Sequence, residues 1–480
     1  MKRVLEIILG TAIVGGAIAF GGVQPLAYSL MEVAIFTAVL LALIQQARSG
    51  QIKFPLPLWP ALFVLLVTFQ ILPLPAWLVR VLSPKRFLSL PLAAQSGSGP
   101  SWITLSIYPH DTEVALLKLL AYLGVFLLAA YLFDSGTRKS LLVRILIGLG
   151  CAEAIYGTFQ YLTHTEKILW YKKIYYLGLA TGTYINHNHF AGLLEMAGPF
   201  VVASVYGAYQ YHAGQDSRRR PRRSSGADVP AARLLFWAFL MLIIVMGVIF
   251  SVSRGGIIAT LLSIMFMGLL TAFRTRRKAW VTGLLVFLLC MVGYGVWIGL
   301  GPVIGRFEEI RATNYLQMEG RLSFWRDSYR MITDYPLTGT GWGTFGVAFR
   351  GYQSTWVDTF VDHPHNDYIE VATDTGLVGA VLLWVPILFL FGKMVYSFAT
   401  DYRRFRSVVT LGCAGSTLAL LLHSLTDFNL QIPANAMVFA MVLGIGYKAS
   451  CLERKGEDAA KVQAPARAAK EFARQVRGFV

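Results

Sequence analysis

Charge is scarce in this sequence. Only 14% of its 480 residues are Asp, Glu, Lys or Arg, against 55% hydrophobic, which is too little polar surface to coat a water-soluble globule of this size. A soluble enzyme and a soluble nucleic-acid-binding module are thereby excluded. Cysteine is nearly absent as well: of four, Cys151, Cys290 and Cys413 fall inside apolar runs and Cys451 lies just past the last one, so neither a disulfide framework nor a clustered cysteine metal site is expected. Acidic residues are the scarcer sign, 26 against 43 basic, for a net charge of +17. In a membrane chain the placement of that excess matters more than its sum. Also missing are the short alternating segments of an outer-membrane barrel and any internal repeat. The apolar residues come in long runs, so the spans are helices and the expected membrane is an inner one.

A span needs about 20 mostly apolar residues. That ruler predicts an all-α polytopic membrane protein of about twelve helices, near 4–22, 26–47, 57–78, 113–133, 141–161, 185–209, 233–252, 256–273, 279–300, 375–397, 407–426 and 432–450. The first has no small-residue cleavage site at its flanks and is read as retained. With the N-terminus in the cytoplasm, Lys2, Arg3, Arg48, Lys53, Arg138, Lys139, the cluster Arg218 to Arg223, Arg274 to Lys278, Arg403 to Arg406 and the basic tail share one side. Both termini are then cytoplasmic. The expected organisation is helices 1–9 over residues 1–300, a large periplasmic loop over 301–374, helices 10–12 over 375–450, and a solvated basic tail over 451–480.

The loop 301–374 is where function is expected, because loops of that length with their own aromatic residues usually carry it. Within it, Leu322, Trp325, Tyr329 and Ile332 recur at helical spacing, predicting an amphipathic helix over 320–334 that rests on the membrane domain. Pro336 and Gly339, Gly341, Gly343 and Gly346 then break regular structure.

Ionisable residues at the outer membrane edge are costly and persist where something compensates them. Arg254 sits in the turn SVSRGG between two spans. It reads either as an arginine snorkelling to the headgroups or as a planar fork holding a phosphate. Arg321 opens the loop helix and is a second candidate, whereas Arg326 and Arg330 are expected to pair with Asp327, Asp334 or Glu319 as a solvated face. The segment DHPHNDYIEVATDTGLVG, residues 362–379, carries His363 and His365 beside Asp362 and Asp367. No further ligands fall at zinc spacing, so no metal is expected. A histidine that titrates near neutral pH is suited to general-base work. Asn366 reads as a helix cap or hydrogen-bonding group, and Gly376 and Gly379 as a place where another helix packs closely. His187, Asn188 and His189 open the sixth span and read as interfacial caps or substrate contacts. His423 and Asp427 stand four apart at the end of the eleventh, as an orienting pair or a satisfied helix end. Glu32, Glu153 and Glu195 are single carboxylates within spans, of the kind a proton-coupled carrier uses, which keeps a transport reading open.

His365 and Asn366 followed by Gly376 and Gly379, the turn Ser253, Arg254, Gly255, and Gly320, Arg321 with Trp325 resemble the signatures of the bacterial O-antigen ligase and O-antigen polymerase superfamily. The opening NHNHFAG and the late segment DFNLQIPANA are similar to it too, so the resemblance runs from about residue 180 to 440. It implies a metal-independent, inverting glycosyltransferase without cofactors. The donor would be a glycan on undecaprenyl diphosphate, and the acceptor a sugar hydroxyl, on lipid A core for a ligase or on another lipid-linked repeat for a polymerase. His365 would take the acceptor's proton, Arg254 and Arg321 would bind and neutralise the diphosphate, and Asn366, His363, Asn188, His423 and Asp427 would support the site. No nucleic acid is implied; membrane lipids are. Between the two acceptors the ligase is favoured, protein O-glycosylation differs only in acceptor, and a lipid-linked glycan flippase is the alternative from another class. Against the flippase stand the missing repeat and the gathering of charge on one face.

Overall fold

The structure is a computed structural model that describes residues 1–50, 58–90, 101–133, 141–216, 228–276, 321–354, 360–401 and 404–451. It is a polytopic, nearly all-helical membrane protein. Nine of the described helices are long and apolar enough to cross a membrane. In chain order the helices are α1 (Lys2–Ile18), α2 (Pro25–Arg48), α3 (Leu58–Ile71), α4 (Ala76–Leu82), α5 (Pro84–Leu88), α6 (Pro109–Leu132), α7 (Leu141–Leu162), α8 (His187–Asp216), α9 (Asp228–Ser251) and α10 (Arg254–Thr275). They continue with α11 (residues 321–334), α12 (Phe345–Phe349), α13 (Asp367–Thr400), α14 (Arg404–His423) and α15 (Pro433–Cys451). The only sheet among the described residues is two short antiparallel ladders, Leu74–Pro75 with Trp102–Ile103 and Lys167–Ile168 with Tyr171–Lys172.

Three expected spans differ from the nine. The first is a 17-residue helix that stops at Ile18 and passes into the turn Phe20–Gly22, where Gly21 and Gly22 take φ of 78° and 74°. The third is a 14-residue helix, α3, because Leu74 and Pro75 leave helical geometry to pair with Ile103 and Trp102. The ninth, 279–300, lies outside the described residues, as do the basic cluster Arg218 to Arg223 and the basic tail.

Helix α8 is the centre of the bundle, packed against α7, α9, α10, α14 and α15. The spans of α8, α14 and α15 are each 78% buried, whereas that of α2 is 28% buried. The outer helices spend their apolar faces on lipid, so their hydrophobicity is uniform and not amphipathic.

Two features set up the candidate site. Helix α10 begins with an N-cap: Ser253 Oγ accepts from Gly256 N–H at 3.2 Å, directly after Val252 at φ 55°. Helix α13 begins eight residues before the expected span, capped by Asn366, whose Oδ1 accepts from Tyr368 N–H and Ile369 N–H at 3.0 and 3.1 Å. It then breaks at Gly376, with φ 66° and ψ −176°. At the break, Thr373 O and Asp374 O accept from Thr340 N–H and Gly341 N–H of the glycine-rich loop at 3.0 and 2.9 Å. Gln70 on α3 ties both sides, its Nε2 donating to Thr338 O and Asp374 O at 2.7 and 2.9 Å while its Oε1 accepts from Trp342 N–H at 3.0 Å. Gly376 is therefore not a helix-packing glycine but the place where two stretches of backbone touch. A Cβ on it would strike the Leu337 carbonyl, and one on Gly339 would strike that of Asp374. Gly379 does face a helix: a Cβ on it would stand 3.0 Å from Leu66 Cδ2 of α3.

Gly376→Ala should cost about 1–3 kcal/mol from its backbone conformation alone and more from the carbonyl contact. Gly392→Ala, on the same helix with open space around it, should be neutral or slightly stabilising. Thermal midpoints in one detergent compare the two; equal midpoints would contradict the role of the break.

Candidate functional site

The Asn366 cap fixes the start of α13 and hence the residues just before it. His365 sits at φ 52°, a conformation uncommon for a side-chain-bearing residue and costly unless its surroundings impose it. Two contacts do so. Trp325 Nε1 of α11 donates to Pro364 O at 2.8 Å, and Asn366 Nδ2 donates to Leu425 O at 2.9 Å. His365 is thus clamped between the loop helix and the turn after α14.

That turn carries Asp427, which is 1% exposed. Its Oδ1 accepts from Phe428 N–H at 2.8 Å and faces His365 Nδ1 at 3.4 Å and His189 Nε2 at 3.6 Å. Burial alone raises the pKa of a carboxyl, but the two imidazoles more than offset it and hold Asp427 well below its ordinary value. It is a carboxylate across the physiological range. Phe428 beside it is the platform on which three histidines meet. His363 stacks on its ring at 4.2 Å, while His189 and His365 stand edge-on at 4.6 and 4.9 Å.

His363 is not equivalent to His365. Its Nδ1 faces Glu370 Oε1 one helical turn into α13, at 2.8 Å. Burial opposes the imidazolium, yet the Glu370 carboxylate overcomes it and raises the pKa of His363 to about 9. Beneath the turn, His423 Nδ1 lies 3.1 Å from both oxygens of Glu195 on α8, and both residues are fully buried. The pair is a satisfied interior one, and so is Glu153, which accepts from Thr183 N–H and Oγ at 2.8 and 2.7 Å. Two of the three carboxylates read from sequence as carrier-like are thus held by neighbours distant in sequence.

Arg254, on the first turn of α10, is exposed. Its neighbour Gly255 lies against Thr426 and His423: a Cβ there would stand 2.5 Å from Thr426 Oγ1 and 2.7 Å from His423 Cδ2. The arginine turn therefore packs on the same 423–427 turn that supports His365. Arg321 stands four residues before Trp325, on the same face of α11, so the indole that pins Pro364 also brings Arg321 to this end of the bundle. Tyr176, whose hydroxyl is shifted upward chiefly by burial, feels Asp427, Arg321 and Asp362 together. Asn188 is in the first turn of α8, where its N–H is held by Asn186 Oδ1 at 2.9 Å. Arg330 pairs with Asp327 at 3.7 Å as expected, but Asp327 is buried and its Oδ2 accepts from Ser354 N–H and Oγ at 2.8 Å, so this is not the solvated face the spacing suggests.

A cavity of about 740 Å³ opens beside His365, within the roughly 300–1,000 Å³ of small-molecule pockets. Nine of its lining residues are Phe, Tyr or Trp, and His363, His189, Glu370, Asp362 and Asp111 also line it. Lys118 is the one lysine or arginine among the described residues in its wall; Arg254 and Arg321 stand outside that wall. No group of three His, Cys, Asp or Glu side chains among the described residues is placed to hold a metal ion. Sequence reasoning missed Phe428, Trp342, Lys118 and Glu370. No periodicity marks them, since the cavity is assembled from segments far apart in the chain.

Because the folded protein binds the His363 proton more tightly than an unfolded chain does, the His363–Glu370 pair stabilises the fold fully below pH 6.5. That contribution disappears as the pH rises through about 9. His363→Gln should therefore lower the thermal midpoint most below pH 6.5 and least above about pH 9. An equal cost at both ends would contradict the ionic pairing.

The sequence profile of a family described as O-antigen ligase matches residues 239–384, a stretch that holds Arg254, Arg321, Trp325, His363, His365, Asn366 and Glu370. The exopolysaccharide production protein ExoQ of Rhizobium meliloti (strain 1021) is 21% identical over 154 residues, 31% of this chain and 34% of that protein. The chain thus matches about a third of the length of this relative. His189 and Asp427, which face His365 in space, lie outside the 239–384 stretch, yet they complete the arrangement around its histidine. The motifs, their placement and both likenesses agree in making the chain similar to the O-antigen ligase and polymerase superfamily, through the stretch 239–384.

Proposed function

We propose that this protein is a metal-independent, inverting glycosyltransferase of the O-antigen ligase type. In this reading it lies in the bacterial inner membrane with both termini cytoplasmic and the His365 cavity on the periplasmic side. It moves a glycan from undecaprenyl diphosphate to a sugar hydroxyl of lipid A core. The observation that carries the reading is the clamped His365 with Nδ1 toward the Asp427 carboxylate at 3.4 Å, at the edge of an aromatic-lined cavity.

With Nδ1–H directed at Asp427, the Nε2 of His365 is left to accept a proton. The acceptor oxygen attacks the anomeric carbon as His365 Nε2 removes its hydrogen, and the bond from that carbon to the diphosphate oxygen breaks. The electron pair leaves with the diphosphate, and the anomeric configuration inverts. Asp427 stabilises the imidazolium that forms. Negative charge grows on the leaving group, and two guanidinium groups, Arg254 and Arg321, offset it there. In this role they supply the charge that a divalent cation provides in many other transferases. A polymerase reading, with a second lipid-linked repeat as acceptor, is favoured by the likeness to a protein named for exopolysaccharide production. It uses the same residues and differs in acceptor alone.

Purified protein in liposomes with a lipid-diphosphate-linked glycan, lipid A core and EDTA tests this directly. The expected product is glycan on the core. His365→Ala should lower the rate by about a hundredfold to ten-thousandfold, and Arg254→Ala or Arg321→Ala by about a hundredfold or more. Longer lipid-linked chains with the core untouched would assign the polymerase. No covalent product with either acceptor, or full activity of His365→Ala, would overturn the transferase mechanism.

A further inference from the structure

The His365 cavity contains a charged group that the proposed chemistry does not use. Glu370 lines the wall although it is only 2% exposed. Its Oε1 is held by His363 at 2.8 Å, and its Oε2 has no hydrogen-bond partner among the described residues. A buried carboxylate oxygen left without a donor is expensive, and this one cannot easily turn away, because His363 is itself stacked on Phe428 at 4.2 Å. Trp342 shares the cavity. Its backbone is fixed by Gln70 and its indole is braced edge-on by Phe63 at 5.4 Å and 88°, which makes it a rigid apolar platform.

The balance of charge narrows what the cavity takes. Asp111, Asp362 and Glu370 line it against Lys118 and the Glu370-bound His363. A diphosphate would meet carboxylates there, and the two arginines suited to it stand outside the wall. An isoprenoid tail would leave Glu370 Oε2 without a donor. A sugar ring satisfies both features, with hydroxyls that donate to the carboxylate and a C–H face that lies on an aromatic ring.

We propose that Glu370, held by His363, is the specificity-determining group of a sugar subsite that takes the hydroxyls of a neutral pyranose and excludes sugars bearing a carboxylate. The proposal rests on the transferase reading for its biological sense, but it is tested without turnover. The probes are methyl glucoside, methyl galactoside, methyl N-acetylglucosaminide and methyl glucuronoside, titrated by saturation-transfer NMR against the full-length chain in nanodiscs.

At least one neutral glycoside should bind about tenfold or more tightly than the glucuronoside, since like charges in an enclosed site repel. In Glu370→Gln that binding should weaken about tenfold, as expected when a charge-assisted hydrogen bond is lost, and the glucuronoside should gain relative to it. The comparison within the wild-type protein needs no variant to fold. Glucuronoside binding as tight as the best neutral glycoside, no binding of any glycoside, or unchanged affinity in a folded Glu370→Gln would each overturn the proposal. Neutral-sugar binding of the predicted pattern alongside failed transfer in liposomes would keep the subsite and reject the transferase. Transfer alongside indiscriminate binding would do the reverse.

Discussion

Everything placed around the cavity depends on one buried carboxylate. Asp427 lies in the turn between α14 and α15, and the groups that meet it come from every part of the site: His365 from the start of α13, His189 from α8, and the Phe428 N–H from its own turn. An unpaired charge at 1% exposure would be untenable. Its partners are therefore obligatory, and satisfying them fixes where His365 stands. The same turn takes the Gly255 backbone against His423 and Thr426, so the arginine-bearing end of α10 is set by the same piece of chain. The segments that carry the histidine and the arginine thus both pack on residues 423–428.

A second constraint explains why the histidine segment is rigid. Where a helix breaks among lipid-facing helices, its freed carbonyls must find donors within the protein. At Gly376 they find them in the loop 338–343, with Gln70 of α3 bonding to both sides. The loop is thereby locked to the membrane domain, and Trp342 is carried to the cavity wall. The catalytic segment proposed here is built as part of the helix bundle and does not hang from it.

Much of this was legible in the sequence, for identifiable reasons. Long apolar runs betray spans because lipid demands them. The spacing of Leu322, Trp325, Tyr329 and Ile332 placed the loop helix, ending at 334, but not its buried face: Leu322 and Tyr329 are exposed, and Phe324, Asp327, Ser328 and Met331 point inward instead. Arg254, Arg321 and His365 stood out because charge at a membrane edge needs a reason. The short third span was not legible, since the two-residue ladder that ends it pairs Leu74 with Ile103 across nearly thirty residues. Nor was the start of α13 at Asp367, because its first turns carry Asp367, Glu370 and Asp374, acidic residues that look like loop until their buried partners are seen. The His363–Glu370 and His423–Glu195 pairs differ in reach: the first is local and the second joins residues 228 positions apart. Neither was read from the sequence: the first straddles the start of α13, which was itself not legible, and only the fold brings the second together.

The division of labour is electrostatic. Carboxylates and aromatic rings face the cavity, while the two arginines stand outside its wall, an arrangement that suits a substrate with a neutral sugar at one end and an anionic leaving group at the other. The most direct test of that claim is a structure of the protein with a non-hydrolysable lipid-diphosphate-linked sugar bound. The account predicts the diphosphate between Arg254 and Arg321, with the sugar in the cavity and its anomeric carbon on the His365 side. A diphosphate seated away from either arginine, or a sugar outside the His365 cavity, would contradict it.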